Sequence, residues 1–246
     1  MAEMKSEAVI KAELVAALAS LGVQAGDTLM LHASMRTVGC RAETLLDALQ
    51  EAVTPTGRLL SLICAEEGKP FDPDRSSAWS ELGVLAEVFR TRPGVVLNRH
   101  PMARMGAWGA DAGGLVEDPP LHDYYGPGSP LQRLVDGGGK VLRLGADRDT
   151  ATVLHFAEYL ADLPNKRRVT HVVDVCGAGR LDIRCLDDSN GIRDLPGEDY
   201  FARILDAALL AGLARVGPVG GATAELVDAN ALVRFGVRWL EANDVV

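Results

Sequence analysis

Aromatic residues are scarce, at 5% of 246 residues, and the four cysteines (Cys40, Cys64, Cys176 and Cys185) include no Cys-x-x-Cys spacing. That leaves neither a disulfide framework nor a cysteine-based zinc site with support, and reduced, structural thiols are the expectation. Five histidines are scattered without a short metal-ligand spacing, so no metal is expected. No apolar run approaches the ~20 residues that cross a bilayer. The first residues carry Glu3 and Glu7 and no apolar stretch of the signal-peptide kind, which points to a cytoplasmic chain. Positive charge is in deficit: 25 Lys and Arg stand against 34 Asp and Glu, a net charge of −9 that disfavours nucleic acid as a partner. The same acidity suits a polycationic small substrate, and equally serves plain solubility.

What is present reads as an ordinary globular composition, 48% hydrophobic and 24% charged, without repeats or low-complexity tracts. Ile10, Leu14, Leu18 and Leu21 recur at helical spacing and predict a first helix over 6–21. Thr28 to His32 predicts a buried strand, Leu45 to Val53 a helix stopped by Thr54-Pro55-Thr56-Gly57, and Leu59 to Cys64 a second strand. A helix over 82–89 and a strand at Val95-Val96-Leu97 follow. Residues 110–130, rich in Gly, Pro and Asp, predict a long surface excursion, either a ligand cover or a solvated connector. Lys140 to Gly145 returns to strand. Thr150 to Leu163 predicts a helix with Val153, Phe156, Ala157 and Leu160 on its apolar face and His155, Glu158 and Asp162 on another stripe. A hairpin is expected from Thr170–Val175 and Leu181–Leu186, then helices over 200–210 and 229–240 separated by Gly217-Pro218-Val219-Gly220-Gly221. The alternation predicts an α/β fold: a mixed-sheet core with an antiparallel hairpin addition and C-terminal helices, forming one domain over 1–246, with residues 168–246 open to being a smaller subdomain.

Three stretches carry chemistry. His32-Ala33-Ser34-Met35-Arg36 runs from a strand into a polar turn before a helix, where backbone N–H groups suit a phosphate or merely connect two elements. Ser129, before Pro130, is placed to N-cap a helix, and the free N–H groups of that helix start also suit an anionic cofactor. His155 and Glu158 are three apart and share a helix face, the pattern of a general base beside a carboxylate and also of an ordinary polar pair.

In order along the chain, these stretches resemble the aminoglycoside 3-N-acetyltransferase family, as do Pro70-Phe71-Asp72-Pro73, Arg99-His100-Pro101 and Thr152-Val153-Leu154-His155-Phe156-Ala157-Glu158. The resemblance spans roughly residues 7 to 190, and Gly217-Pro218-Val219-Gly220 with Ala222 looks like the family's C-terminal segment. It implies transfer of acetyl from acetyl-coenzyme A, the cosubstrate, to the 3-amino group of a deoxystreptamine aminoglycoside, and thereby antibiotic resistance. By position it implies His155 as general base, Glu158 as its orienting partner and Thr152 beside the thioester. His32, Ala33, Ser34, Met35, Arg36 and Ser129 are implied to line the coenzyme A site, together with Thr152. Glu66, Glu67 and Asp187 are implied to hold the polyamine, against the reading of an exposed acidic loop. The chain departs from its relatives at Asp187-Asp188-Ser189-Asn190, which bears on the choice of acceptor, and at Ala33, which lacks a hydroxyl. An acetyltransferase of another amine or N-hydroxy metabolite, and an inactive coenzyme A binding homologue, remain as alternative readings.

Overall fold

A computed structural model describes residues 6–187 and 200–243. Along the chain lie α1 (Glu7–Leu21), β1 (Thr28–Ala33), the one-turn α2 (Met35–Val38), α3 (Ala42–Val53), β2 (Arg58–Leu62), α4 (Val84–Arg90), β3 (Val96–Leu97) and β4 (Met105–Gly109). Next come the short α5 (Ala112–Leu115), α6 (Pro130–Asp136), β5 (Lys140–Leu144) and α7 (Val153–Leu160). The remainder is β6 (Arg168–Val175), β7 (Gly179–Leu186), α8 (Tyr200–Leu210), β8 (Ala214–Val219), β9 (Ala222–Asp228) and α9 (Ala229–Asn243).

Seven strands form one mixed sheet in the order β3-β4-β2-β1-β5-β9-β8, while β6 and β7 pair in a separate antiparallel sheet. β1 is parallel to β2 on one side and to β5 on the other, and the outer strands add antiparallel. Strand alternation divides the core: Leu29 and Leu31 of β1 pack with α1, α3 and α4, whereas Met30 joins the opposite layer with α5 to α9. Burial on both faces is why the central strands read as continuous apolar runs.

The structure corrects or refines four expectations. Residues 110–130 run along the surface, but Leu115, Val116, Tyr124 and Tyr125 turn inward and are buried, so the segment is anchored in the core rather than solvated throughout. α7 starts at Val153 rather than Thr150, Leu160 is exposed, and Glu158 lies on the buried side instead. The Gly217–Gly221 segment is not an interhelical loop: β8 and β9 occupy that region, joined by a two-residue turn at Gly220-Gly221. Gly220 has φ 59, and a Cβ there would stand 2.6 Å from the Val38 carbonyl oxygen, so glycine is required. β4 also went unforeseen, its Met-Gly-Ala-Trp-Gly sequence lacking β-branched residues. Because β8 and β9 complete the main sheet, only the β6–β7 hairpin stands apart from it among the described residues.

Candidate active site

With β1 flanked by β2 and β5, the segments leaving the carboxyl ends of these parallel strands diverge, leaving a crevice of the kind where open α/β sheets bind ligands. Ser34 to Arg36 leave β1, Cys64 to Glu67 leave β2, and Gly145 to Thr152 leave β5 and lead into α7. A row of polar side chains crosses the sheet here in register, His32 opposite Arg143 and Arg143 opposite Glu225. Arg143 is ion-paired with Glu225, and its guanidinium donates to the carbonyls of Asp147 (2.7 Å) and Thr150 (2.9 Å). That fixes the loop delivering the first turn of α7.

His155 sits in that first turn. Its ring is stacked on Tyr125 (centroids 4.9 Å, interplanar angle 9°) and tilted against Phe201 (4.8 Å). Nδ1 lies 2.7 Å from Glu158 Oε2, which leaves Nε2 for chemistry. Glu158 is 2% exposed, and its Oε1 accepts from Lys166 Nζ at 2.6 Å and from the Tyr200 hydroxyl. Burial works to raise the pKa of Glu158, yet the hydrogen bond and charge of His155, joined by the Lys166 ammonium, hold it below the usual carboxylate range. Thr152 occupies the N-cap position of α7 without capping through its side chain.

A cleft of about 490 Å³ lies alongside, lined by Cys64, Glu66, Glu67, Met102, Tyr125 and His171 among others. Its walls meet where Phe71 pairs with Val175, through Phe71 N–H to Asp174 O (2.7 Å) and Cys176 N–H to Phe71 O (2.8 Å). Tyr125 belongs to this cleft and to the His155 stack alike. Glu66 is exposed and paired with Lys69 at 2.6 Å, and Glu67 is exposed. Asp187 does not join them: it is buried, 3.5 Å from Arg167 and outside the cleft lining, so the reading of it as part of an exposed acidic loop does not hold. Asp188, Ser189 and Asn190 lie outside the described residues.

At the β1 exit, Ala33, Ser34 and Met35 are half-buried and Arg36 is exposed; Ser34 Oγ accepts from Thr37 Oγ1 at 2.9 Å. His32 is buried, and its pKa is pushed down to about 3, chiefly by burial and further by the Arg143 charge, so it is neutral. Its Nε2 finds no hydrogen-bond partner among the described residues. An orphaned polar atom at the carboxyl end of a central strand is consistent with a ligand group there, and the residues fit coenzyme A in that respect. Ser129 is fully buried and caps α6, accepting from Gln132 N–H (3.2 Å) and donating to Tyr125 O (3.2 Å).

Lys166, Tyr200, Tyr125 and Phe201 went unnoticed in the sequence. Lys166 lies in Asn165-Lys166-Arg167-Arg168, which looks like a solvated basic turn, and only the tertiary fold buries it. The adjacent Tyr124 and Tyr125 were visible as half of the four tyrosines in one short stretch. His100 accepts the Met102 and Ala103 N–H groups on Nδ1 and lies 3.2 Å from the Leu121 carbonyl through Nε2, which is a structural role.

A half-buried imidazole hydrogen-bonded to a buried carboxylate thus lies beside a cleft that presents Glu66 and Glu67, at the carboxyl edge of a parallel sheet. The sequence profile of the aminoglycoside 3-N-acetyltransferase family matches residues 30–241, and the chain belongs to that family. It is 37% identical over 264 residues to aminoglycoside N(3)-acetyltransferase VIII of Streptomyces fradiae, covering 95% of this chain and 92% of the relative. Against aminoglycoside N(3)-acetyltransferase III of Pseudomonas aeruginosa the identity is 38%, covering 94% and 93%. Among solved structures, AAC-IIIb in a binary complex with CoASH superposes with a TM-score of 0.88 at 39% identity, covering 94% of this chain and 96% of that one. AAC-VIa bound to sisomicin gives 0.89 at 38% identity, covering 96% and 98%.

Proposed function

We propose that this protein transfers acetyl from acetyl-coenzyme A to the 3-amino group of a deoxystreptamine aminoglycoside and so confers resistance to it. The observation that carries this reading is the His155–Glu158 pair at 2.7 Å beside a cleft that presents Glu66 and Glu67. An alkylammonium is not a nucleophile until it loses a proton. His155 Nε2 takes that proton as the amine attacks the thioester carbonyl, and the departing sulfur leaves as the coenzyme A thiol after protonation. Glu158 fixes the ring and stabilises the imidazolium as it forms. His32, Ser34, Met35 and Arg36, with Thr152, hold the cosubstrate, while Glu66 and Glu67 attract the cationic acceptor. No covalent acetyl-enzyme is needed, and reliance on coenzyme A fits a cytoplasmic protein.

Thiol release from acetyl-coenzyme A, measured across a panel of aminoglycosides and simple amines, tests the reading. Turnover with deoxystreptamine antibiotics and not with simple amines is expected, and His155→Ala should lower kcat by roughly 10²–10⁴-fold with little change in coenzyme A affinity. Preferential turnover of simple amines, or a fully active His155→Ala enzyme, would overturn it.

A further inference from the structure

Glu158 has more partners than orienting a histidine requires. Oε2 serves His155 Nδ1, but Oε1 lies 2.6 Å from Lys166 Nζ and accepts the Tyr200 hydroxyl. Lys166 also donates to the Tyr200 hydroxyl oxygen at 3.1 Å and stands 5.2 Å from the Tyr200 ring centroid. The side chains of Lys166 and Glu158 are each 1% exposed. A lysine so deeply buried is rare, because removing an ammonium from water is costly unless a specific partner compensates.

That arrangement has a consequence for the base. A buried carboxylate acting alone on an imidazole stabilises the imidazolium and tends to keep the ring protonated, which would idle a residue that must accept a proton. A cation on the far carboxylate oxygen offsets this charge while leaving the Nδ1 hydrogen bond, and hence the ring orientation, in place. On the reading of His155 as the base, we propose that Lys166, held by Tyr200, is a positioning residue that keeps Glu158 ionised and offsets its negative charge toward the His155 ring.

Among the described residues, the ionisable groups on the elements packed here include Tyr125 from the segment before α6, stacked on His155; the Asp187–Arg167 pair next to Lys166 in the chain; and, on α9, Glu241, which accepts the Asp162 N–H at 3.2 Å. Cys185, on β7, lies 3.5 Å from the Tyr124 hydroxyl in the adjoining core.

The test uses the full chain with Lys166→Met, Lys166→Gln and Lys166→Arg. Two quantities are followed against pH: kcat/KM with an aminoglycoside the parent accepts, and the ring NMR resonances of His155. In Lys166→Met the acid limb of kcat/KM and the His155 titration midpoint should both move up by about one pH unit, the scale of one nearby charge. Activity should recover at higher pH, and Lys166→Arg should restore the parent profile. Should the Met variant fail to fold, Lys166→Gln retains a hydrogen-bond donor without the charge and carries the same expectation. An unmoved limb with activity lowered equally at every pH would reduce Lys166 to packing, and a move to lower pH would contradict the proposed offset. The NMR midpoint does not depend on turnover, so it separates failure of this proposal from failure of His155 as the base.

Discussion

Two histidines at the carboxyl side of the parallel strands, His32 on β1 and His155 in the first turn of α7 beyond β5, meet opposite surroundings. His155 is half-buried with an acid at 2.7 Å, whereas His32 is buried opposite Arg143 and its Nε2 has no hydrogen-bond partner among the described residues. For His32 the pKa is lowered from 6.5 to about 3 in the folded state, so below pH 6.5 the unfolded chain binds a proton that the folded chain refuses. Its contribution to stability is present above pH 6.5 and is lost as pH falls toward 3. The slope is at most about 1.4 kcal/mol per pH unit. His32→Gln should remove that slope, and urea unfolding at several pH values between about 4.5 and 6.5 measures it. Equal slopes in parent and variant would show that His32 is not the proton-linked group.

At the scale of elements, Ser129 and α6 separate two roles that look alike in a sequence. A serine before a proline at a helix start is equally suited to capping and to anion binding, and the Ser129 hydroxyl is engaged in capping, accepting the Gln132 N–H. Ser129→Ala should therefore lower stability by about 1 kcal/mol, read by thermal or denaturant unfolding, with the KM for acetyl-coenzyme A unchanged. A raised KM without loss of stability would restore the cofactor role. The legible elements announce themselves in different ways: α1 through Leu14, Leu18 and Leu21 on one buried stripe, α3 through a broad apolar face, β1, β2 and β5 through apolar runs, and the β6–β7 hairpin through Gly177-Ala178-Gly179. β4, β8 and β9 do not: Met-Gly-Ala-Trp-Gly lacks β-branched residues, and the Gly217-Pro218 and Gly220-Gly221 steps in and between β8 and β9 read as loop punctuation although the two strands pair along their length. In the site, His155 and Glu158 stood three residues apart and were readable. Lys166 and Tyr200 reach Glu158 from other segments, and no spacing rule reports that.

For the whole molecule, charge is the property that couples most directly to its proposed substrate. A chain of net charge −9 whose cleft presents Glu66 and Glu67 attracts a polyammonium acceptor over a distance that salt shortens, with a Debye length of about 10 Å at 0.1 M. Raising ionic strength should raise the KM for the aminoglycoside several-fold more than that for acetyl-coenzyme A. Glu67→Gln should flatten that dependence in steady-state assays over a salt series. Glu66 is shared with Lys69, so its neutralisation should matter less. A salt response identical in parent and Glu67→Gln would mean that these carboxylates are solvated surface and that the acceptor docks elsewhere.

The placement of β1 between β2 and β5 also divides labour in a way that bears on how such a protein changes over generations. The cleft wall with Glu66 and Glu67 belongs to the excursion after β2, tied to the hairpin through Phe71, while the base and its loop hang from β5 and are braced by Arg143. On the proposed function, substitutions accumulating between Cys64 and Trp79 would reshape which antibiotics enter while Arg143 still braces the loop before α7. Drug spectrum and catalytic power would then be separately heritable except at Tyr125, which lines the cleft and stacks on His155.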